Sequence, residues 1–498
     1  IIKPYGPPMP SRRHVLALLA AAPFAASCET LPDYAASWRS PGAGEADPRR
    51  FALAHAILAP NPHNTQPWLV ELRGEDEMLL YCDLGRRLPF TDPLDRQVTI
   101  GCGAFIYLFW EAALSLGRTC YIELFPEGGP AEGMRLDDRP IARLTLADSV
   151  PALTPPEVWP RYFGHIGARR TNRNSYEARV PDREALQRIA LDSTNPAQFM
   201  NVPVRAHTPI ADGHVETDAT RVAAIRDLIW RAFDRELRTE GAQRETYQWL
   251  RFGKEERARR RDGLYIDVPI PGLLRAIGML DAADSPKPAS DATKRAARDS
   301  KRKAQSAPAF MWLITPDDTP TTRLLAGMAH ARMNLAATAA GLAIHPWSQA
   351  LQEYAEMAEL YAEARALLGV NSEQTVQMLA RVGYADSVEP AARPAGRLVG
   401  CGLRRAEPLC APEFGRREPK QAGARLTGDQ RRHDLHAAAI GSAGLRAHCP
   451  RSQRCARQGR PRHSQGTQSQ RCGDRFGPAR DGETPGSARG RGIQAGQA

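Results

Sequence analysis

The sequence predicts an α+β protein of two tandem units, followed by a basic tail without a fold of its own. Three observations predict it. Strand-like and helix-like apolar runs alternate from residue 47 to about residue 393. Two long helical stretches rich in small residues, Ile100–Leu116 and Leu324–Ala340, echo each other faintly, because Ala112-Ala113 precede Gly117 at the spacing by which Ala336-Ala337 precede Gly341. Composition then changes abruptly: residues 395–498 carry 20 Lys+Arg against 8 Asp+Glu, whereas the first 394 carry 47 against 48. Only 11 of the 104 residues after Arg393–Pro394 are Ile, Leu, Val, Phe or Met, too few to offset the entropy of ordering them, so this segment is expected to be disordered.

Taken in order, residues 1–28 read as a twin-arginine-type signal region. Met9 is the natural start; Arg12-Arg13 is followed by the short apolar run Val15–Ala26, interrupted by Pro23. About a dozen apolar residues are too few to span a bilayer, which needs roughly 20. Ala25-Ala26-Ser27-Cys28 offers either small residues for cleavage or Cys28 for lipid anchoring. A working signal implies a periplasmic or cell-envelope location, and a silent one the cytoplasm. Residues 29–46, rich in Pro, Ser, Gly and acidic side chains, read as a linker.

The first unit, 47–160, opens with Asp47 as helix cap and Pro48 at the first helical position. Phe51, Ala54, Ile57 and Leu58 recur at helical spacing, and Ala59–Trp68 is a loop rigidified by Pro60, Pro62 and Pro67. A hairpin turning at Arg73–Asp76 follows, then the turn-rich Asp83–Pro93, the apolar central helix Ile100–Leu116, and strands at Cys120–Phe125 and Ile141–Leu146. The second unit, 161–394, begins with the basic cluster Ala168–Arg173 and a helical pattern after Pro181. An amphipathic helix carries Val222, Ile225, Leu228, Ile229 and Leu237. Charge runs at Lys254–Arg261 and Lys294–Lys303 flank an apolar island, Ile266–Leu280, and mark a solvated lid insertion. Strand Phe310–Ile314, helix Leu324–Ala340 and a strand through Val376, Met378, Leu379, Val382 and Tyr384 complete the unit.

A pI near 9.4 ordinarily points to nucleic acid, but the whole basic excess lies in the tail, so no nucleic-acid partner is expected for the folded part. The tail itself is either a basic arm or an out-of-frame translation of a GC-rich gene. With one Lys, no Trp, Tyr or Met, and five scattered cysteines, it favours the second reading. No CxxC or zinc spacing occurs, so no metal is expected, and Cys82, Cys102 and Cys120 read as buried thiols.

The chemistry gathers in a few motifs. A phosphate needs convergent cations and hydroxyls, which Arg169, Thr171 and Arg173 supply in alternation. A flavin ring needs in-plane amide partners, which the loop Asn61, Pro62, His63, Asn64 and Gln66 offers. Neither GxGxxG nor GxxxxGK is present, which argues against a Rossmann dinucleotide site or a P-loop. Ala59-Pro60-Asn61-Pro62-His63-Asn64-Thr65-Gln66-Pro67-Trp68, Leu88–Pro93 before Ile100–Ala104, the Arg169–Arg173 cluster and Gly341–Gln349 together resemble the nitroreductase superfamily of FMN proteins. Within it they are similar to the fused double-length (Acg-type) branch, which often carries twin-arginine signals.

The resemblance spans about residues 47–393 and implies two nitroreductase-like units imitating the usual homodimer within one chain, with FMN between them. The molecule would be a monomer acting as a pseudo-dimer, or a homodimer. It implies contacts to FMN from Asn61, Pro62, His63, Asn64 and Gln66, from Arg169, Thr171 and Arg173, from the backbone at Pro346, Ser348 and Gln349, and from Arg393 in the place of a C-terminal phosphate-binding residue. Asn61 departs from the serine more usual there. The implied activity is hydride transfer from NAD(P)H through FMN to a nitro-aromatic or quinone-like small molecule, with no side chain acting as a nucleophile. The alternative is a flavin-sequestering protein without turnover.

Overall fold

The structure, a computed structural model, describes residues 31–148, 161–194, 211–268 and 290–394, all within one compact unit, Ile1–Phe414. The signal region with Cys28, the tail 395–498 and most of the apolar island lie outside the described residues.

The fold is α+β, and its organising feature is a pair of 20-residue helices, each leading into its own antiparallel sheet. The chain enters through a short helix α1 (Ala36–Arg39) and α2 (Pro48–Ala56), whose cap Asp47 accepts from the Arg49 amide at 2.8 Å. Then come β1 (Trp68–Arg73), β2 (Glu77–Cys82), α3 (Arg96–Ser115), β3 (Thr119–Leu124) and β4 (Ala142–Ala147), with the sheet order β1-β2-β4-β3. After α4 (Arg183–Ser193) the second sheet starts with β5 (Asp212–Glu216). Helices α5 (Ala219–Arg238) and α6 (Glu240–Gln248) lead to a small parallel pair, β6 (Leu250–Phe252) and β7 (Leu264–Ile266), with α7 (Gly253–Arg260) between them. Then follow α8 (Asp291–Gln305), β8 (Ala309–Thr315), α9 (Pro320–Ala339), β9 (Ala343–Pro346), α10 (Ala358–Leu368) and β10 (Thr375–Gly383), in the sheet order β5-β8-β10-β9.

The two sheets share one wiring. In each, a strand, a 20-residue helix and two further strands follow in sequence, and the last of them pairs between the other two. One numbering offset relates Gly103 to Gly327 on the helices and Gly117 to Gly341 at their ends. Gly117 and Gly341 both sit at positive φ, +71° and +70°, where a side chain would strain the turn.

Helices α3 and α9 pack on each other through Gly103 and Gly327. A Cβ on Gly103 would lie 2.0 Å from the Leu324 carbonyl oxygen, and one on Gly327 would lie 2.1 Å from that of Ile100. Backbones this close exclude any side chain at the crossing. Helix α3 is also long and apolar enough to cross a membrane, but it is the buried core helix here. Its all-round apolar sequence matches that setting.

The sheets differ in cover. Strand β4 alternates buried and half-buried residues, as expected for one covered face, whereas β8 and β10 are buried end to end. Met311, Leu313 and Met378 face the α3–α9 core, while Phe310, Trp312 and Leu379 join a second core with α5, α8 and α10. Cys82, Cys102 and Cys120 are buried free thiols.

That second region carries a pH-sensitive element. Glu236 on α5 is buried, its Oε2 has no partner among the described residues, and burial, assisted by Glu245, pushes its carboxyl up to about 7. Between the ordinary carboxylate range and pH 7 the folded state holds a proton that the unfolded state has released, so stability falls as pH rises through that window. Glu236→Gln is therefore expected to flatten the fall and to raise stability at pH 8 by about 2 kcal/mol. Thermal denaturation at pH 5 and pH 8 checks this; an equal shift at both would refute it.

Candidate functional site

The loop between α2 and β1 is built under backbone strain. His63, Asn64 and Gln66 all take positive φ, 48°, 55° and 54°, half of the six non-glycine residues that do so among those described. Proline on both sides and side-chain bonds hold the shape: the Asn61 amide donates to the Ala59 carbonyl at 3.1 Å, and its oxygen accepts from the Gln66 N–H at 2.8 Å. The loop rests on α3 at Gly101, where a Cβ would come within 3.1 Å of the Asn61 Cβ. The two glycines of Ile100-Gly101-Cys102-Gly103 thus have separate tasks, one under the loop and one at the helix crossing.

The amides of this loop do not project outward. Asn64 Nδ2 donates to the carbonyls of Gly263 (3.0 Å) and Ala392 (3.2 Å), and Gln66 Nε2 donates to that of Arg261 (2.9 Å). Asn64 and Gln66 spend these donors fastening the loop to the α6–β7 segment and to the end of the described chain, while Asn61 braces the loop from within. His63 Nε2 lies 3.1 Å from Thr246 Oγ1 on α6, and Arg86 bridges the Thr65 carbonyl and Asp262.

Beside the loop three arginines surround one indole. The guanidinium carbons of Arg169, Arg170 and Arg393 lie 5.6, 4.6 and 5.5 Å from the Trp38 ring centre. Trp38 Nε1 donates to the Ala391 carbonyl at 2.7 Å, and Ser37 Oγ to that of Pro394 at 2.7 Å, so the segment read as a linker clasps residues 391–394. Arg393 donates to the carbonyls of Ile57 (2.7 Å) and Ala59 (2.9 Å) and to Asn64 Oδ1, so its fork is filled by the loop.

Arg169 differs. It donates from Nη2 to the Leu58 carbonyl at 3.0 Å, while its buried Nε and Nη1 have no partner among the described residues. Burial and the neighbouring positive charges push Arg169 and Arg393 both down to about 9. A buried cation with a free donor edge, beside other cations, suits an oxyanion that neutralises it and fills that edge.

Arg173 is near enough to this cluster to lower the pKa of Arg169. It is exposed, yet desolvation by the surrounding protein lowers its pKa. Its charge reaches imidazoles on both sides. His63 is pushed down to about 4 by burial and then by Arg173; His345 on β9 is driven well below its ordinary value by burial, Arg381 and Arg173. Arg381 Nε donates to His345 Nδ1 at 3.1 Å, which leaves the ring proton of neutral His345 on Nε2. Pro346 and Ser348 are half-buried beyond it, Ser348 Oγ donating to Met378 Sδ at 3.4 Å, and Thr171 is half-buried between Arg169 and Arg173. Gln349 instead faces Glu236 on α5.

The structure therefore gathers Arg169 and Arg393 beside the loop, and links Arg173 to His63 and His345. Sequence reasoning placed Arg170 in the basic cluster without giving it a role, and missed Trp38, His330 and Asn334. Only Trp38 carried a signal, as a lone indole in a polar stretch.

No family model matches the chain. The chain is similar to a protein of Mycobacterium tuberculosis provisionally named an NAD(P)H nitroreductase, with 27% identity over 346 residues, 68% of this chain and 86% of that protein. A second protein of that organism, provisionally named NAD(P)H nitroreductase acg, matches at 35% over 77 residues, 16% of this chain and 23% of its own. Among solved structures, the chain is similar to the FMN- and NADPH-dependent nitroreductase NfnB from sphigopyxis sp. strain HMH, at 20% identity and a TM-score of 0.29, covering 47% of this chain and 94% of that one. It is similar also to the FMN-dependent NfnB of Mycobacterium smegmatis in complex with NADPH, at 21% and 0.27, covering 45% and 86%.

Proposed function

We propose that this chain is an FMN-dependent oxidoreductase of the nitroreductase type, in which two tandem units, 47–160 and 161–394, imitate a dimer and pass hydride from NAD(P)H to a small nitro-aromatic or quinone-like acceptor. The observation that carries the reading is the free donor edge of buried Arg169 among Arg170 and Arg393. A phosphate monoester fits that edge: it supplies acceptors to Nε and Nη1 and negative charge to a cluster that lacks it. The shared wiring of the two sheets, the packed pair α3–α9 and the similarity to the provisionally named nitroreductase support the tandem reading.

In this reading Arg169, with Thr171 beside it, holds the phosphate, and Arg393 holds the loop that flanks it. The strained loop Asn61–Gln66 offers its backbone and the face of His63 to the ring, opposite Pro346 and Ser348. Bound FMN would supply the two-electron chemistry. The protein contributes orientation, and neutral His63 and His345 keep further positive charge out of the cleft. Segment 9–28 is proposed to direct export, and 395–498 to be out-of-frame sequence.

A second reading, a flavin-sequestering protein, is favoured by the way α6–β7 is bonded down on the loop through Asn64, Gln66 and His63. One experiment separates the two. The purified chain is titrated with FMN, and NADPH is then added without oxygen. Binding followed by bleaching of the flavin band is the expected result; binding without bleaching selects sequestration, and no binding overturns both. Arg169→Ala is expected to weaken FMN by about tenfold to a hundredfold, the loss of a hydrogen bond to a charged group, and to spare riboflavin.

A further inference from the structure

Helix α9 carries two buried polar side chains one turn apart that the reading above leaves unused. His330 and Asn334 are 2% and 0% exposed. Neither ring nitrogen of His330 and neither amide atom of Asn334 has a hydrogen-bond partner among the described residues. Residues four apart share a helix face. Helix α9 packs against the turn Phe163–His165, which positions Arg169 through its backbone bond to the His165 carbonyl at 2.9 Å, and the charge of Arg169 reaches the His330 ring. Two buried groups with unused donors, His330 and the free edge of Arg169, therefore lie within electrostatic reach of each other, and Asn334 follows His330 one turn along the same helix.

Packing does not require this pair. At the positions of α3 related by the offset that joins Gly103 to Gly327 stand Ile106 and Trp110, both buried and apolar. Unsatisfied buried polar groups each cost free energy, and such groups persist where a ligand or function uses them. The inventory is rich in donors: two nitrogens of Arg169, the Asn334 amide and one imidazole N–H outnumber the acceptors. The imidazole stays neutral, because burial and then Arg169 push it down to about 3, so it offers an N–H without a further charge beside three arginines.

We propose that His330 and Asn334 form, with the free edge of Arg169, the inner wall of an oxyanion site that receives the phosphate end of a phosphate monoester. This rests on the FMN reading, which it deepens by assigning neutral donors from the central helix. The same donors would take inorganic phosphate.

The test uses the full chain and the variants His330→Leu, Asn334→Leu and His330→Asn. Thermal midpoints are measured with and without inorganic phosphate, and affinities for FMN and riboflavin by flavin fluorescence. In the leucine variants the ligand-free midpoint is expected to hold or rise, the phosphate-induced rise to disappear, and FMN to bind about tenfold more weakly, with riboflavin within about twofold of wild type. His330→Asn, which keeps a neutral donor, is expected to recover part of the FMN affinity. A leucine variant that is more stable yet keeps both the phosphate response and the FMN-to-riboflavin ratio would show a merely hydrated cavity and overturn the proposal. If the wild type binds no FMN, the FMN reading falls, and the phosphate response alone decides: its loss in the variants supports the site, its persistence overturns it. Should His330→Leu not fold, Asn334→Leu and His330→Asn carry the same readouts.

Discussion

Gly327→Ala and Gly103→Ala are each expected to lower the thermal midpoint by more than about 10 °C, or to leave the chain insoluble. The added Cβ would lie about 2 Å from a backbone carbonyl oxygen of the opposite helix, and each glycine Cα also lies within about 3 Å of the other's Cβ position. No side chain can rotate away, so α3 and α9 must part. Overpacking against adaptable side chains costs typically 1–3 kcal/mol. Parting the helices adds lost contact along two helices that are buried over nearly their whole length, so a cost above about 4 kcal/mol is expected. Gly164→Ala is the control, since that position has no atom within 4 Å of its Cβ and no positive φ. Midpoints for the helix variants within about 3 °C of the control would show that the helices are not locked together at this crossing.

Arg393→Met is the second large effect, and Arg169→Met is its contrast. Removing the Arg393 guanidinium leaves the Ile57 carbonyl and the Asn64 oxygen without that donor, and the Ala59 carbonyl with only the Asn61 amide. Stranding buried acceptors costs roughly 1–3 kcal/mol each. Relief of the repulsion with Arg169 and Arg170 offsets part of this, so a net loss of about 3 kcal/mol is expected, with faster proteolysis at residues 57–66. Arg169→Met forfeits one bond, to Leu58, and removes a buried charge with two unused nitrogens, so its stability is expected to stay within about 1 kcal/mol of wild type while the phosphate response is lost. Chemical denaturation with and without phosphate measures both. Equal destabilisation by the two substitutions would mean that the division of labour between the arginines is wrong.

Much of this architecture is written locally in the chain. Helix α3 is legible because it is apolar on every face, and β1–β2 because two apolar runs flank Arg73–Asp76, whose Gly74 takes φ 52°. The loop 59–68 is legible because proline and asparagine at that density specify a rigid turn. These are properties of neighbouring residues, and a sequence records neighbours directly.

What the side chains of the loop do was not legible. Composition makes Asn64 and Gln66 natural partners for a planar ligand, but their donors go to Gly263, Arg261 and Ala392, far along the chain. Trp38 stood in a stretch composed like a linker, and only the approach of Ala391 and three guanidiniums makes it part of a site. Sequence likewise could not divide the arginines: Arg169 and Arg393 have the same chemistry, and only their partners leave one fork filled and the other open.

The sequence by itself therefore determined the long apolar helices, the β1–β2 hairpin, the rigid loop and the residue types able to bind an anion, because backbone preference and side-chain chemistry act over a few residues. The short strands β5, β6, β7 and β9 and the helices formed by the two charge runs were not legible. Only the tertiary structure decided which polar groups are spent and which remain free. Each buried donor must find an acceptor, and whether it does depends on contacts hundreds of residues apart that no local pattern encodes.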